Sequence, residues 1–126
     1  MQLKIIKPKE PNAIAKITVH KTGKLGFSKG AMEILNLVQN KFTKFGFDEE
    51  ENFFIVMCKD SDEETFNVAK AGDYYYITAK SLLEDLEIDY KSDDTTIFDI
   101  RKTEKENIYK LNKRVIIKEK KKSLEP

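Results

Sequence analysis

Short runs of alternating apolar and polar residues recur along the chain, and each predicts a half-buried β-strand. The alternation is clearest over residues 42–47 and 96–100, and each run is followed by a charged turn and a second apolar segment, over 53–58 and 108–111. Residues 15–19 include three consecutive β-branched side chains, which suit a pleated surface better than a helix. The pattern therefore predicts a fold made mainly of short strands.

Two segments carry apolar residues at helical spacing, and both predict a short amphipathic helix. Ser28 and Thr78 precede these segments, where a side-chain oxygen can accept a hydrogen bond from the first helical turn. Each helix is so short that packing against the strands has to stabilise it. The residues predicted to face the core are Ala31, Ile34, Leu35, Val38, Leu82, Leu83 and Leu86.

The stretches around the two predicted helices share one order of residues. The sequences Lys21-Thr22-Gly23 and Lys70-Ala71-Gly72 each lead into an aromatic strand, a hydroxyl residue and a helix that ends in leucine, any residue and an aliphatic residue. A glycine between two strands supplies the positive φ of a tight hairpin turn. Internal self-similarity of this kind indicates duplication. We infer an α+β fold in which two degenerate ββαββ repeats form a small, β-rich, pseudo-symmetric domain with two short helices.

The repeats divide the chain into four parts. Residues 1–13 are an N-terminal arm, residues 14–59 the first repeat and residues 65–117 the second repeat. Residues 118–126 form a basic tail that is poor in apolar residues, and we expect it to be disordered. A length of 126 residues fits one compact domain or two very small fused units.

Charge is unevenly distributed, although the whole chain has a net charge of only +1. Residues 1–30 hold seven lysines and one glutamate, and residues 101–122 hold ten basic residues and three glutamates. Between them, residues 48–64 contain eight acids and residues 84–94 contain six. If the two basic ends meet in the fold, they create a basic face and leave an acidic face elsewhere.

Composition does not indicate a secreted or membrane protein. The chain has one cysteine, and no apolar run approaches the roughly 20 residues that a membrane helix needs. The N-terminus lacks the long apolar stretch and the small-residue cleavage site of a secretory signal. We expect a cytoplasmic protein with no membrane partner.

The residues that carry chemistry predict no catalytic, metal or cofactor site. His20 is the single histidine and has no nearby cysteine with which to bind zinc. Cys58 ends an apolar strand, where a cysteine usually serves as a small hydrophobe. The carboxylates are consecutive in loops, as in solvated turns, and neither a P-loop nor a GxGxxG motif occurs. We therefore predict a protein that is not an enzyme and takes no cofactor.

The first predicted unit contains, in order, a strand, a Lys-x-Gly turn, a strand, a hydroxyl-capped helix ending in Leu-x-Leu and two strands. This order resembles the AbrB/SpoVT swapped-hairpin family, in the two-unit arrangement of its MraZ type. The resemblance covers residues 17–58 well and 66–111 weakly, and it implies an interlocked barrel that binds DNA and regulates transcription. The family's DNA-facing turn usually has an acid and an arginine where this chain has His20 and Lys24, and Asp73 replaces a base in the second copy. The matching residues are Lys21, Gly23, Lys24, Leu25, Ser28, Lys29, Glu33, Leu35 and Leu37.

The candidate nucleic-acid site combines the basic hairpin with the tyrosines at residues 74–76. In a strand, Tyr74 and Tyr76 share one face, where exposed rings can stack bases while lysines hold phosphates. Curved-sheet proteins of the Whirly or PUR type, which bind single strands on aromatics, are the alternative to the swapped-hairpin family. The predicted nucleic-acid-binding residues are Lys16, His20, Lys21, Gly23, Lys24, Lys29, Lys70, Tyr74 and Tyr76.

A second hypothesis is a protein–protein interaction or dimerisation module with no nucleic-acid ligand, in which the acidic segments and the tyrosines face a protein. An exposed apolar patch would favour this hypothesis. Lys21, Lys24 and the basic segment 101–122 on one face would favour nucleic acid. Assembly into a homo-oligomer is compatible with both hypotheses.

Overall fold

The computed structural model describes residues 1–6 and 14–118 and shows a β-rich domain with two short helices. The elements are, in order, β1 (Lys16–Val19), β2 (Lys24–Phe27), α1 (Lys29–Ile34), β3 (Phe42–Phe47), β4 (Phe53–Cys58), β5 (Phe66–Asn67), β6 (Ala69–Ala71), β7 (Tyr74–Thr78), α2 (Lys80–Asp85), β8 (Thr95–Lys102) and β9 (Ile108–Ile116). The predicted α+β class with two short helices is thus confirmed. Residues 7–13 of the predicted arm and 119–126 of the predicted tail lie outside the described residues. Within the described part, no helix is long and apolar enough to cross a bilayer.

One antiparallel sheet curls into a nearly closed barrel. Its strand order is β5-β3-β4-β9-β8-β1-β2-β7-β6, so β5 and β6 form its two edges. Only Val68 separates these two strands in the chain. The extended segment 66–71 therefore pairs with β3 at its start and with β7 at its end. By pairing with both, this segment brings the edges of the sheet together.

Hairpins from the two halves of the chain alternate around the barrel. The β1–β2 hairpin lies between β8 and β7, and the β8–β9 hairpin lies between β4 and β1. Each half therefore contributes hairpins that are separated by strands of the other half. Neither half forms a continuous sheet from its own strands.

The barrel interior is filled by alternate residues of the strands, as the apolar pattern predicts. Ile17, Ile55 and Ile77 are fully buried and come from three different strands. The helices extend this core, because Ala31 of α1 and Leu83 of α2 are also buried. Burial of these apolar side chains is the main term that stabilises the fold.

Both helices end in the same turn, which explains the shared leucine–x–aliphatic ending. Asn36 and Glu87 follow the helices with positive φ angles of 51° and 56°. Leu37 and Ile88 come next, and both are buried. The N–H of each buried residue donates to the carbonyl five residues earlier, at 3.1 Å after α1 and 2.9 Å after α2. This is the Schellman arrangement, in which a hydrophobic residue closes the helix end.

Two predictions about the helices are wrong. Val38 does not face the core but is exposed, because the helix stops before this residue. Thr78 is not an N-cap, because it is the last residue of β7 and α2 begins after Ala79 without a side-chain cap. The cap predicted at Ser28 is confirmed, since its Oγ accepts from the N–H three residues later at 3.1 Å.

Candidate nucleic-acid interface

Three neighbouring strands, β1, β2 and β7, present aromatic and basic side chains on the outside of the barrel. The alternation along β7 is the predicted one, with Tyr75 buried and Tyr74 exposing 40% of its surface. Tyr76 points to the same side as Tyr74 and is half-buried. We refer to the group on this side as the outer cluster, which consists of His20, Lys24, Gly26, Tyr74 and Tyr76.

The side chains of the outer cluster form a continuous row across β2 and β7 to His20, the residue that follows β1. The rings of Tyr74 and Tyr76 are stacked, with centroids 6.0 Å apart and 17° between the planes. Lys24 Nζ lies 4.6 Å from the centroid of the Tyr76 ring, which is a cation–π distance. On the other side, Tyr74 Oη and His20 Nε2 are 2.6 Å apart and share a hydrogen bond. The row thus consists of two stacked aromatic rings with a positive charge at one end.

Gly26 lies beneath this row, and the row fits only because Gly26 has no side chain. A Cβ at this position would overlap Tyr74 Oη and would lie 2.5 Å from His20 Nε2. The Tyr74 ring therefore crosses the backbone of β2. Its burial there raises the pKa of the Tyr74 phenol above the usual value.

The variant Gly26→Ala is expected to separate the Tyr74 hydroxyl from His20 while leaving the barrel folded. The added methyl group would overlap Tyr74 Oη and crowd His20 Nε2, so the Tyr74 phenol is displaced and becomes more exposed. Its pKa then falls towards the ordinary tyrosine value, which an alkaline titration of tyrosinate absorbance measures. Gly46→Ala is the matched control, because a Cβ there meets no heavy atom within 4 Å. A Gly26→Ala titration identical to that of the wild type would contradict this packing.

Two residues of the predicted basic turn have partners of their own. Lys21 Nζ lies 2.7 Å from Asp93 Oδ1 on the protein surface. The hydrogen bond from Lys21 holds the pKa of the Asp93 carboxyl below its usual value. Gly23 has a φ of +83°, as a tight turn requires, but a Cβ there would collide with the stem of Lys80. The turn therefore packs against Lys80, a basic residue that is not among the predicted nucleic-acid-binding residues.

The remaining predicted residues lie away from the outer cluster. Lys16 is at the other end of β1, in register with Asp99 of β8. Lys29 is exposed at the first position of α1. Lys70 lies on β6, with Nζ 5.6 Å from the ring centroid of the buried Tyr75. The structure therefore does not gather the whole predicted set in one place.

The end of β9 reaches the same end of the barrel as the basic turn. The Lys118 N–H donates to Asp94 Oδ1 at 3.2 Å, next to the aspartate that binds Lys21. Arg101 lies at the opposite end of β8. Only the last described part of the basic segment 101–122 thus comes near the turn, and two acids lie between them.

The described residues contain no group of three or more His, Cys, Asp or Glu side chains that could hold a metal ion. Comparisons with protein-family models, with curated proteins and with solved structures find no significant match for the chain. The resemblance to the AbrB/SpoVT family therefore stays a prediction from the order of its residues and elements.

Proposed function

We propose that this chain is a non-catalytic nucleic-acid-binding protein that holds a single strand on the outer cluster. The observation that carries the proposal is the row of Lys24, Tyr76, Tyr74 and His20 on the outside of the sheet. Aromatic faces stack bases whatever their sequence, at about 1–3 kcal/mol per base, while nearby lysines bind the phosphates. Lys24 lies beside the rings and Lys80 packs against the adjoining turn, so these two lysines are suited to bind the phosphates.

A single strand suits this surface better than a duplex does. Bases in a duplex are already stacked on one another, and only splayed bases can offer their faces to a protein side chain. A role in transcription regulation, which the AbrB/SpoVT resemblance implies, would instead require binding to duplex DNA. Comparing the two forms of DNA therefore distinguishes the two roles.

We also infer that the chain consists of two degenerate ββαββ repeats in an interlocked arrangement. Three pairs of turn residues at corresponding places have positive φ angles: Gly23 and Gly72, Asn36 and Glu87, and Glu51 and Asn107. Strands at corresponding places also pair with each other, β2 with β7 and β4 with β9. Both features are what a twofold relation between the repeats would produce. The alternation of hairpins fits the interlocked barrel that the family resemblance implies.

Fluorescence anisotropy with labelled single- and double-stranded oligonucleotides, titrated with salt, tests the binding proposal. We expect the single strand to bind more tightly, with an affinity that falls as the salt concentration rises. Lys24→Glu removes the charge beside Tyr76 and adds repulsion, so it should weaken binding about tenfold, the equivalent of ~1.4 kcal/mol. Lys105→Glu, in the β8–β9 turn, makes the same change in net charge away from the cluster. Absence of binding at low salt, or an equal loss in both variants, would disprove the proposed site.

A further inference from the structure

The strand β9 extends beyond its neighbour β4, and its second half has an open edge. β8 pairs with it as far as Ile116, whereas β4 pairs with it only from Ile108 to Leu111. Among the described residues, no strand pairs with the β4-facing edge of residues 112–116. An open edge presents backbone N–H and C=O groups to any other extended chain.

A cavity of about 430 Å³, with one apolar wall and one polar wall, lies where this open edge begins. Its walls include Phe47, Phe53 and Phe98 from three strands, together with Leu86 and Ile88 from the end of α2. The phenylalanine rings contact each other, with centroid distances of 5.0 Å and 5.5 Å. Phe47 nevertheless exposes 59% of its surface, so the cavity leaves an apolar wall open to solvent.

We propose that the open edge of β9 and this cavity together bind an extended acidic peptide. In such β-augmentation, main-chain hydrogen bonds provide affinity, and pockets for alternate side chains provide specificity. A strand added beside residues 112–116 directs every second side chain to the inner face of the sheet, where the cavity lies. Val115, which is exposed, lies on the same face of β9 as Leu111 and extends the apolar surface along this edge.

The charges of β9 favour an acidic partner over a second copy of the chain. The strand contains Lys110, Lys113 and Arg114 and has no acid between Ile108 and Ile116. Arg114 is already bound by Asp99 of β8, with Nε 2.7 Å from Oδ2, so Lys110 and Lys113 are the bases left for a partner. Pairing of two such edges would bring together two strands that carry basic residues and no acid, and it would therefore gain nothing from opposite charges. A peptide in which acidic residues alternate with apolar residues would instead place carboxylates next to the lysines of β9.

The rim of the cavity keeps a positive balance. Lys110 and Lys113 both line it, together with one acid, Glu51. Asp48 interacts electrostatically with Lys110. Its carboxylate already accepts hydrogen bonds from the N–H groups of Glu50 and Asn52, at 2.9 Å and 2.8 Å. The two lysines are thus the groups placed to bind carboxylates of an incoming strand.

A labelled peptide of sequence Asp-Glu-Val-Asp-Phe-Asp-Val-Glu tests the site. We expect binding in an anisotropy titration, with slower hydrogen–deuterium exchange of the amides of residues 112–116. Replacing the peptide's phenylalanine by alanine should weaken binding about tenfold or more, because the anchor in the cavity is lost. Lys113→Glu should weaken it about tenfold, while Lys105→Glu, the matched charge change in the neighbouring turn, should bind like the wild type.

Three results would overturn this proposal. The first is absence of peptide binding, or binding without protection of residues 112–116. The second is undiminished binding by both of two peptides, each N-methylated on one of the two sets of alternate residues, since one of these sets faces β9 and would form the strand hydrogen bonds. The third is a concentration-dependent dimer in sedimentation that protects the same amides, because a second copy would then be the occupant. The outer cluster takes no part in this test, so its outcome is independent of nucleic-acid binding.

Discussion

Single-strand binding should be lost when both outward tyrosines are replaced, in the variant Tyr74→Ala/Tyr76→Ala. Stacking of a base on one ring is worth about 1–3 kcal/mol, so two rings together contribute ~2–6 kcal/mol. The dissociation constant measured by anisotropy should therefore rise at least ~30-fold. The rings lie outside the barrel, and Tyr75 and Ile77 keep the inner face of β7 filled. The melting temperature should consequently change much less than the affinity.

The matched control for this variant is Tyr74→Phe/Tyr76→Phe. It keeps both aromatic faces and removes only the hydroxyl groups, including the one that shares a hydrogen bond with His20 at 2.6 Å. If stacking supplies the affinity, the phenylalanine variant binds close to the wild-type level. Equal losses in the two variants would show that the hydroxyl groups carry the binding, and the stacking proposal would then fail.

The largest effect on stability is expected from Ile77→Ala. Ile77 is fully buried on β7, and its register partner on β2, Leu25, is also buried. Truncation of such a side chain costs the lost burial and leaves a cavity, about 2–5 kcal/mol in total. That is a large share of the ~5–15 kcal/mol by which a domain is stable. Urea unfolding followed by circular dichroism measures the loss.

Thr78→Ala provides the comparison, because Thr78 is the next residue on the same strand and is exposed. A surface substitution of this kind usually changes the free energy of unfolding by less than about 0.5 kcal/mol. If both variants were equally stable, β7 would not present Ile77 to the core. The Ile77→Ala protein also controls for indirect effects of core packing on binding, because the same strand carries Tyr76 on its opposite face.

Local structure was predictable from the sequence wherever one short stretch decides the outcome. The alternation over residues 42–47 defines β3, and the Leu-x-aliphatic endings correspond to the turns at Asn36 and Glu87. Thr78 misled the prediction because a hydroxyl residue also fits the end of a strand. β5 was missed because a strand of two residues is too short to show a period.

The arrangement of the elements depended on contacts that no local pattern contains. Lys21 and Asp93 are 72 residues apart, so their ion pair exists only once β1 and β8 are neighbours. Gly26 gave a weak signal, since a glycine inside a strand often marks the close approach of another group. The group that crosses Gly26 is Tyr74, and this contact depends on the pairing of β2 with β7.

The alternating hairpins also determine when the chain can fold during its synthesis. The β1–β2 hairpin is made early, but its two neighbours in the sheet are residues 74–78 and 95–102. At a synthesis rate of ~5–20 residues per second, several seconds pass before both neighbours exist. During that interval the hairpins of the first half lack their neighbouring strands from the second half, and pairing across such long separations is intrinsically slow. A ribosome-bound first half is therefore the species that chaperones have the longest time to encounter.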